Sequence, residues 1–421
     1  MTGAVLAGAA FAGAPAAAQN YDARARALLA SPKFKAAKAS IGADYDRIVA
    51  DVITLTEIEA PPFKEQKRAA KYLEMLRAEG LSDLTTDGVG NVYGFRKGRG
   101  GGPLIVLAVH LDTVFPEGTN VKVRREGNTL HAPGIGDATC GLPVLLAFIR
   151  AMKAADYTTD ADIVFMGNVG EEGPGDLRGV RYLFNQGPLK DRIKYFISFE
   201  PGRAGGITNA GVGSKRYKVT FTGPGGHSMG DFGIVSPAYA MGDAIAQFGK
   251  MKVPIQPRTV YNVGIVEGGT SVNSIPFAMA MTVDMRSAGK AELDAEEAAF
   301  KAILPRAVDA ENAARSTARG KVAYEAKLIG DRPVGSTPMS AEIMQTATAV
   351  TKAAGYQPRY RPGSTDSNIP MSMGVQAVTL GSGFDTERAH SLEEALTMDK
   401  PKDVDSMAVG LATVLMLAGA K

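Results

Sequence analysis

Val106–Thr113 reads V-L-A-V-H-L-D-T: four apolar residues run straight into His110, Leu111 and Asp112. A short unbroken apolar run of this kind fits a strand buried on both faces of a parallel sheet. His110 and Asp112 then fall at its C-terminal end, the edge at which open α/β sheets gather their ligands. Histidine and aspartate two apart can divide one task. The imidazole binds a metal through one nitrogen, and the carboxylate fixes the hydrogen on the other. A solvated pair at a strand end would read the same, so the surrounding chain decides.

Two further apolar strands follow the same plan. Ile163–Met166 leads into Gly167-Asn168-Val169-Gly170-Glu171-Glu172-Gly173, and Tyr195–Ser198 leads to Glu200-Pro201. Apolar residues at helical spacing mark Asp44–Ile58, Lys64–Glu79 and Leu142–Lys153, and Gly80 stops the second of these. Leu84–Lys97 reads as a strand pair broken at Gly88–Asn91. Strands alternating with helices predict an α/β fold: a helix-covered, mostly parallel sheet.

From about Gly213 the texture changes. Lys215–Thr222, Val260–Val266 and Met279–Arg286 alternate apolar and polar residues, as half-exposed antiparallel strands do. Helical stretches at Ser236–Phe248 and Ala291–Ala314, with a last strand at Lys321–Lys327, complete a β-α-β-β-α-β order. That order predicts an inserted α+β unit of split-βαβ, ferredoxin-like form. After Gly330 the α/β texture returns with a helix at Ala341–Ala354, a strand at Gln376–Leu380 and a helix at Val404–Ala418. The expected organisation is a catalytic domain at 19–212 and 327–421, with a lid and dimerisation domain at 213–326.

At 421 residues the chain is long enough for two domains. A net charge of +3, with no Lys/Arg run of five, gives no sign of a nucleic-acid partner. A single cysteine, Cys140, leaves no disulfide framework and no thiol-rich metal site. Residues 1–18 hold an apolar, Ala-rich run, and Ala16-Ala17-Ala18 precedes Gln19 in the manner of a signal-peptidase site. The run is too short to span a bilayer. It predicts a signal peptide and an exported protein, periplasmic or secreted, with no membrane association after cleavage.

His110, Asp112, Asp137, Glu171, Glu172, Glu200 and His390 form a thiol-free set of imidazoles and carboxylates. Such a set suits zinc and, less selectively, cobalt or manganese. Two metals close together need about five ligands, one of them a bridging carboxylate. Adjacent residues of an extended segment point opposite ways. Within Glu171-Glu172, one acid can therefore ligate while its neighbour faces another way.

Motifs spread along the chain carry a resemblance. They are V-H-L-D-T-V (109–114), P-G-I-G-D (133–137), G-N-V-G-E-E-G (167–173), F-E-P (199–201) and G-P-G-G-H-S (223–228). They continue with N-S-I-P (273–276), D-M-R (284–286), G-S-T-D (363–366) and A-H-S (389–391). In this order they resemble the co-catalytic di-zinc metallopeptidase and deacylase family of tripeptidase T, carboxypeptidase G, acetylornithine deacetylase and succinyl-diaminopimelate desuccinylase. The resemblance covers essentially everything after the signal segment.

It implies two zinc ions per subunit, bridged by Asp137, with His110 and Glu200 completing one and Glu172 and His390 the other. It implies Glu171 as general base and Asp112 as the residue orienting His110. It implies His227 as the group polarising the scissile carbonyl, supplied by the partner subunit of a homodimer. Asn273 and Arg286 would grip the substrate carboxylate, with Gly363 and Ser364 lining the pocket. The implied activity is exopeptidase cleavage of short peptides, acidic oligo-aspartate peptides among them, or alternatively removal of the acyl group from N-acyl amino acids. One departure is Asp137-Ala138-Thr139-Cys140, where the family often has a second Asp followed by a base. It removes a neighbouring acid, not a ligand.

Two other classes compete. Gly226-His227-Ser228-Met229-Gly230 fits the G-x-S-x-G nucleophile elbow, with Asp385 and His390 in triad order. An elbow joins a strand directly to a helix, whereas Asp231–Val235 follows here without helical pattern. An exported, non-catalytic peptide-binding protein would keep the cleft, yet would leave Glu171 without a task. His131 reads as a surface residue and Cys140 as a small buried one. Arg203, Lys215, Arg216, Arg286, Arg359 and Arg361 could form a positive approach for acidic peptides.

Overall fold

Leu104–His110, buried along its whole length, lies inside a nine-stranded sheet of the computed structural model, which describes residues 20–100 and 102–421. The signal peptide predicted at 1–18 lies outside the described residues. Both flanking strands, Asp162–Asn168 and Ile193–Glu200, run parallel to Leu104–His110, and Gln376–Gly381 runs parallel to Ile193–Glu200. The sheet is therefore parallel at its centre. Its margins are antiparallel, with Val92–Arg96 and Ser82–Thr86 on one side and Gly206–Gly211 on the other.

The organising strand buries both faces, as its sequence requires. Ile105, Leu107 and Val109 belong to one core, together with helices Tyr45–Thr56, Gly141–Ala154 and Lys400–Leu417. Leu104, Val106 and Ala108 belong to a second core on the opposite face, with Arg178–Asn185 and Asn368–Ser372. Alternate residues pointing to opposite faces is the two-residue period of a strand. Ile135–Ala154 is long and apolar enough to cross a membrane by composition, but 89% of its most apolar stretch is buried inside the protein.

The inserted unit begins with Gly213–Thr222. Its sheet has the order Thr259–Gly268, Ala278–Ser287, Gly213–Thr222, Ala323–Arg332, with every pair antiparallel. Helices Pro237–Phe248 and Lys290–Ala314 cover one face and share a separate core with Phe221, Met281 and Met285. Ser236 caps the first helix: its Oγ accepts the N–H of Ala238, and Pro237 occupies the first turn. The last strand continues to Arg332, so Lys327–Arg332 belong to this sheet and not, as expected, to the larger unit. Cross-strand register aligns Ser214 with both Arg286 and Arg332, and Arg216 with Asp284. These five polar side chains share the sheet face turned away from the helices.

A small four-stranded sheet, Arg124–Glu126, Thr129–His131, Ala395–Thr397 and Asp385–Glu387, carries a hairpin loop bearing His390.

Candidate metal centre

The parallel centre of the sheet brings its strand ends to one edge. His110 ends its strand, Glu200 ends the next, and Glu171 and Glu172 follow Asp162–Asn168. Asp137 comes from the turn before Gly141–Ala154, and His390 from the hairpin. Asp137 lies between the imidazoles: Oδ1 is 3.1 Å from His110 Nε2, and Oδ2 is 3.1 Å from His390 Nε2. Glu200 Oε2 is 3.7 Å from His110 Nε2, and Glu172 Oε1 is 3.0 Å from His390 Nε2. Two compact donor groups result, His110/Asp137/Glu200 and Asp137/Glu172/His390, with Asp137 common to both; a third joins His110 to Glu171 and Glu172.

His110 Nδ1 donates to the main-chain oxygen of Asp112 at 2.9 Å, so that in the neutral imidazole Nε2 is the nitrogen without a hydrogen and the one that can ligate. The expected partner was the Asp112 carboxylate, but that lies 3.7 Å away. It accepts instead the N–H groups of Glu171 and Glu172, at 2.9 and 2.8 Å. Asp112 thus orients the imidazole through its carbonyl and the acidic loop through its side chain.

Charge in this cluster is out of balance. Burial would lower the His110 imidazole, yet Glu200 and Asp137 raise it well above 6.5. Hydrogen bonds donated to the Asp137 and Glu172 carboxylates lift His390 to about 10. Burial pushes the carboxyls of Glu171 and Glu200 up, and that of Asp112 to about 6. Crowded carboxylates that draw protons onto their neighbours lack positive charge, and divalent cations supply it. The oxygen and nitrogen donors fit zinc, cobalt or manganese.

Above the cluster lies a cavity of about 660 Å³, lined by Asp137, Glu171, Glu172, Glu200 and His390 from the larger unit and by Arg216, Asp284, Arg286 and Arg332 from the inserted sheet. Asp284 accepts from Arg216 Nε at 3.0 Å and from Arg286 Nε at 2.7 Å, holding both guanidinium groups in place. Ser364 and Arg361 also line it. Gly363 sits beside them at the end of a strand, where an added Cβ would come within 3.0 Å of Thr208.

Of the basic approach expected from sequence, only part reaches the cavity. Arg203 is tied to Asp403 and Asp385, and Lys215 to Asp331, because these acids lie beside them in the fold; Arg359 does not line the cavity either. His227 and Asn273 are also outside it, exposed on the inserted unit: His227 ends a short strand paired with Ser274–Ile275, and Asn273 is the turn residue just before that partner strand. Ser228 is followed by a turn, not a helix, so the nucleophile-elbow geometry is missing. Cys140 is buried, and its Sγ donates to Gly136 O at 3.1 Å.

Sequence reasoning missed three buried residues. Arg332 donates to Glu171 Oε1 at 3.0 Å, to the Glu171 carbonyl and to Ser364 Oγ at 3.1 Å. Arg68, fully buried, donates to Leu111 O at 2.7 Å and to Thr139 Oγ1 at 3.1 Å. Glu394 accepts three N–H groups of the Asp137 loop.

A sheet edge that converges imidazoles and carboxylates around a shared aspartate, beneath an arginine-bearing sheet face, defines a metal-dependent hydrolase of amide bonds. The sequence profile of peptidase family M20/M25/M40 matches residues 106–418. The chain belongs to this family. It is 25% identical to the succinyl-diaminopimelate desuccinylase of Corynebacterium glutamicum over 372 residues, 85% of this chain and 95% of that protein. A protein of Pyrococcus abyssi, provisionally named a LysW-lysine/LysW-ornithine hydrolase, is 36% identical over a shorter stretch, 38% of this chain and 42% of that one. Among solved structures, the aminopeptidase PepT of Bacillus cereus shares the fold at a TM-score of 0.70 and 21% identity, over 89% of this chain and 98% of that one. The YXEP protein of Bacillus subtilis, described as a dinuclear metal-binding peptidase of family M20, shares it at 0.63 and 18%, over 89% and 99%.

Proposed function

We propose that this protein is an exported, two-zinc exopeptidase acting on short peptides. The observation that carries the proposal is the Asp137 carboxylate set between two imidazoles, one oxygen to each. His110, Asp137 and Glu200 would hold one ion, and Asp137, Glu172 and His390 the other. Zinc, when bound there, supplies a Lewis acid and lowers the pKa of water to roughly 7.

Glu171 is the acid left over from this division, and it stands beside the donors. Arg332 holds its Oε1 and its carbonyl, which fixes the carboxylate relative to the cavity. In that position it takes a proton from the attacking water and passes it to the leaving amine. His227 Nδ1 accepts the N–H groups of Met229 and Gly230, both at 3.2 Å, so Nε2 carries the hydrogen and can donate to a carbonyl oxygen. His227 is exposed and away from this chain's own cavity, which supports delivery by the partner subunit of a homodimer. The exposed side chains of Met229, Phe232, Val272 and Phe277 flank it and support a surface that a partner covers.

Arg216, Arg286 and Arg361 support substrates with carboxylates, since a guanidinium fork accepts a carboxylate through two bonds. Asn273 would assist from the same surface as His227, and Gly363 and Ser364 would shape the pocket. Acidic peptides, oligo-aspartate among them, are the substrates proposed. The similarity to a desuccinylase favours N-acyl amino acids as a second reading. The Ala-rich segment at 1–18 supports export, and the mass of the mature protein from the native host tests it.

The deciding experiment is Glu171→Ala. Turnover should vanish while zinc content stays at two per chain, and a near-normal rate would remove Glu171 as the base. Mass spectrometry of acidic, neutral and acylated substrates then separates the readings, because equal rates on neutral and acidic tripeptides end the case for acidic selection.

A further inference from the structure

We infer that Glu394, which ligates nothing, is a positioning residue that locks the two halves of the metal centre together. The inference rests on the two-metal reading above. Asp137 and His390 meet in the site but arrive on irregular segments, a turn before a helix and a hairpin loop. Neither has a strand end to fix it, as His110 and Glu200 do. Some other group must hold the distance between them.

Glu394 stands four residues after His390 at the base of that hairpin and is 1% exposed. One of its oxygens accepts the N–H groups of Gly136 and Asp137, at 2.7 and 2.8 Å; the other accepts that of Gly134 at 2.9 Å. Its own carbonyl accepts the N–H of Ala132 at 3.1 Å. Main-chain N–H groups converging on one carboxylate form a concave anion nest. The loop is shaped for it: Gly134 has φ +77°, and a Cβ on Gly136 would come within 3.0 Å of the Glu394 oxygen.

The consequence falls on Asp137. With its own N–H and that of Gly136 held, the peptide plane preceding Asp137 is fixed, and with it the direction of the side chain. Both carboxylate oxygens must reach different imidazoles at 3.1 Å, so a small rotation would lose one of them. Because the clamp stands on the His390 hairpin, the two ligands move as one body. Asp112 holds the main chain of Glu171 and Glu172 in the same manner. Outer partners of this sort set metal affinity by about 10–100-fold.

The test is calorimetric titration of zinc into the full-length, chelator-stripped protein, alongside thermal unfolding of the stripped form. Glu394→Gln keeps the size of the side chain but sets an NH₂ group against N–H donors. It should bind zinc at least about tenfold more weakly than the parent. Asp403→Asn is the control. Asp403 is another buried carboxylate, bonded to Tyr45 and Arg203 at the start of the last helix and away from the cavity. Its loss should lower the unfolding temperature and leave zinc affinity alone. A folded Glu394→Gln protein within tenfold of the parent overturns the inference, as does an equal loss of affinity in Asp403→Asn. Should Glu394→Gln not fold, Glu394→Asp is judged by the same threshold. If the parent itself takes up no divalent ion, the two-metal reading fails instead.

Discussion

The Asp112 carboxylate is wholly buried and holds two main-chain N–H groups, so changing it strands polar atoms inside the protein. In Asp112→Asn one oxygen survives and an NH₂ group faces an N–H donor. An unpaired buried donor costs about 1–3 kcal/mol. Since those N–H groups belong to Glu171 and Glu172, the cost falls on the site as well as on stability. We expect a lower unfolding temperature together with less than full zinc content after gel filtration, read by atomic emission; full zinc would show that the loop keeps its shape unaided. Arg332→Lys keeps the charge but loses the fork that grips Glu171 at two points. The expected result is kcat lower by about tenfold or more with zinc content intact, because the base drifts while the ligands stay. His110, Glu171, Glu172 and Glu200 were legible in the sequence because each follows an apolar strand. Arg332 and Glu394 were not, since many of their partners are main-chain atoms 161 and 257 residues away. The only local hints were the position of Arg332 just before Pro333 and the spacing of Glu394 from His390.

Elements with a clear period were legible, and those without one were not. The central strands announced themselves by continuous apolar runs, and the strands of the inserted unit by alternation. The antiparallel strand Gly206–Gly211, with glycine at both ends, has too little apolar character to show. Helices Tyr21–Ala30 and Pro32–Ala43 are rich in alanine and charge, and their weak stripes leave little to read. The long helix Lys290–Ala314 of the inserted unit hides a different feature. Its buried face runs Leu293, Glu296, Phe300, Ile303, Leu304, and Glu296 is 4% exposed with neither oxygen partnered among the described residues. Burial, with a smaller contribution from Asp284, pushes its carboxyl up to about 8. An acid whose folded pKa is raised gives stability that is whole below its unfolded value of 4.5 and lost as pH climbs through 8. Glu296→Gln should therefore nearly match the parent near pH 4.5 and exceed it by up to about 5 kcal/mol at pH 9. Thermal melts at both pH values decide it, and equal melting at pH 9 would mean that the ionised carboxylate finds water.

The whole molecule raises the question of where a carbonyl-polarising imidazole comes from. Among the described residues the inserted unit gives the cavity arginines and an aspartate but no histidine. His227, the sole histidine of that unit, is exposed elsewhere, with its tautomer set for donation. The proposed two-fold dimer would resolve this, because an isologous pairing would let each chain complete the site of the other. Complementation gives the sharpest test. Glu171→Ala and His227→Ala should each be inactive alone. Mixed, dissociated and allowed to re-pair at random, they give half of the dimers as hybrids. Each hybrid holds one site with both groups intact and one with neither. Activity should then recover to about a quarter of the wild-type value. A mixture as inactive as its components, from chains that have exchanged subunits, would place His227 outside the reaction and return the task of polarising the carbonyl to groups already in the cavity, with Arg286 and Arg216 the nearest candidates by charge.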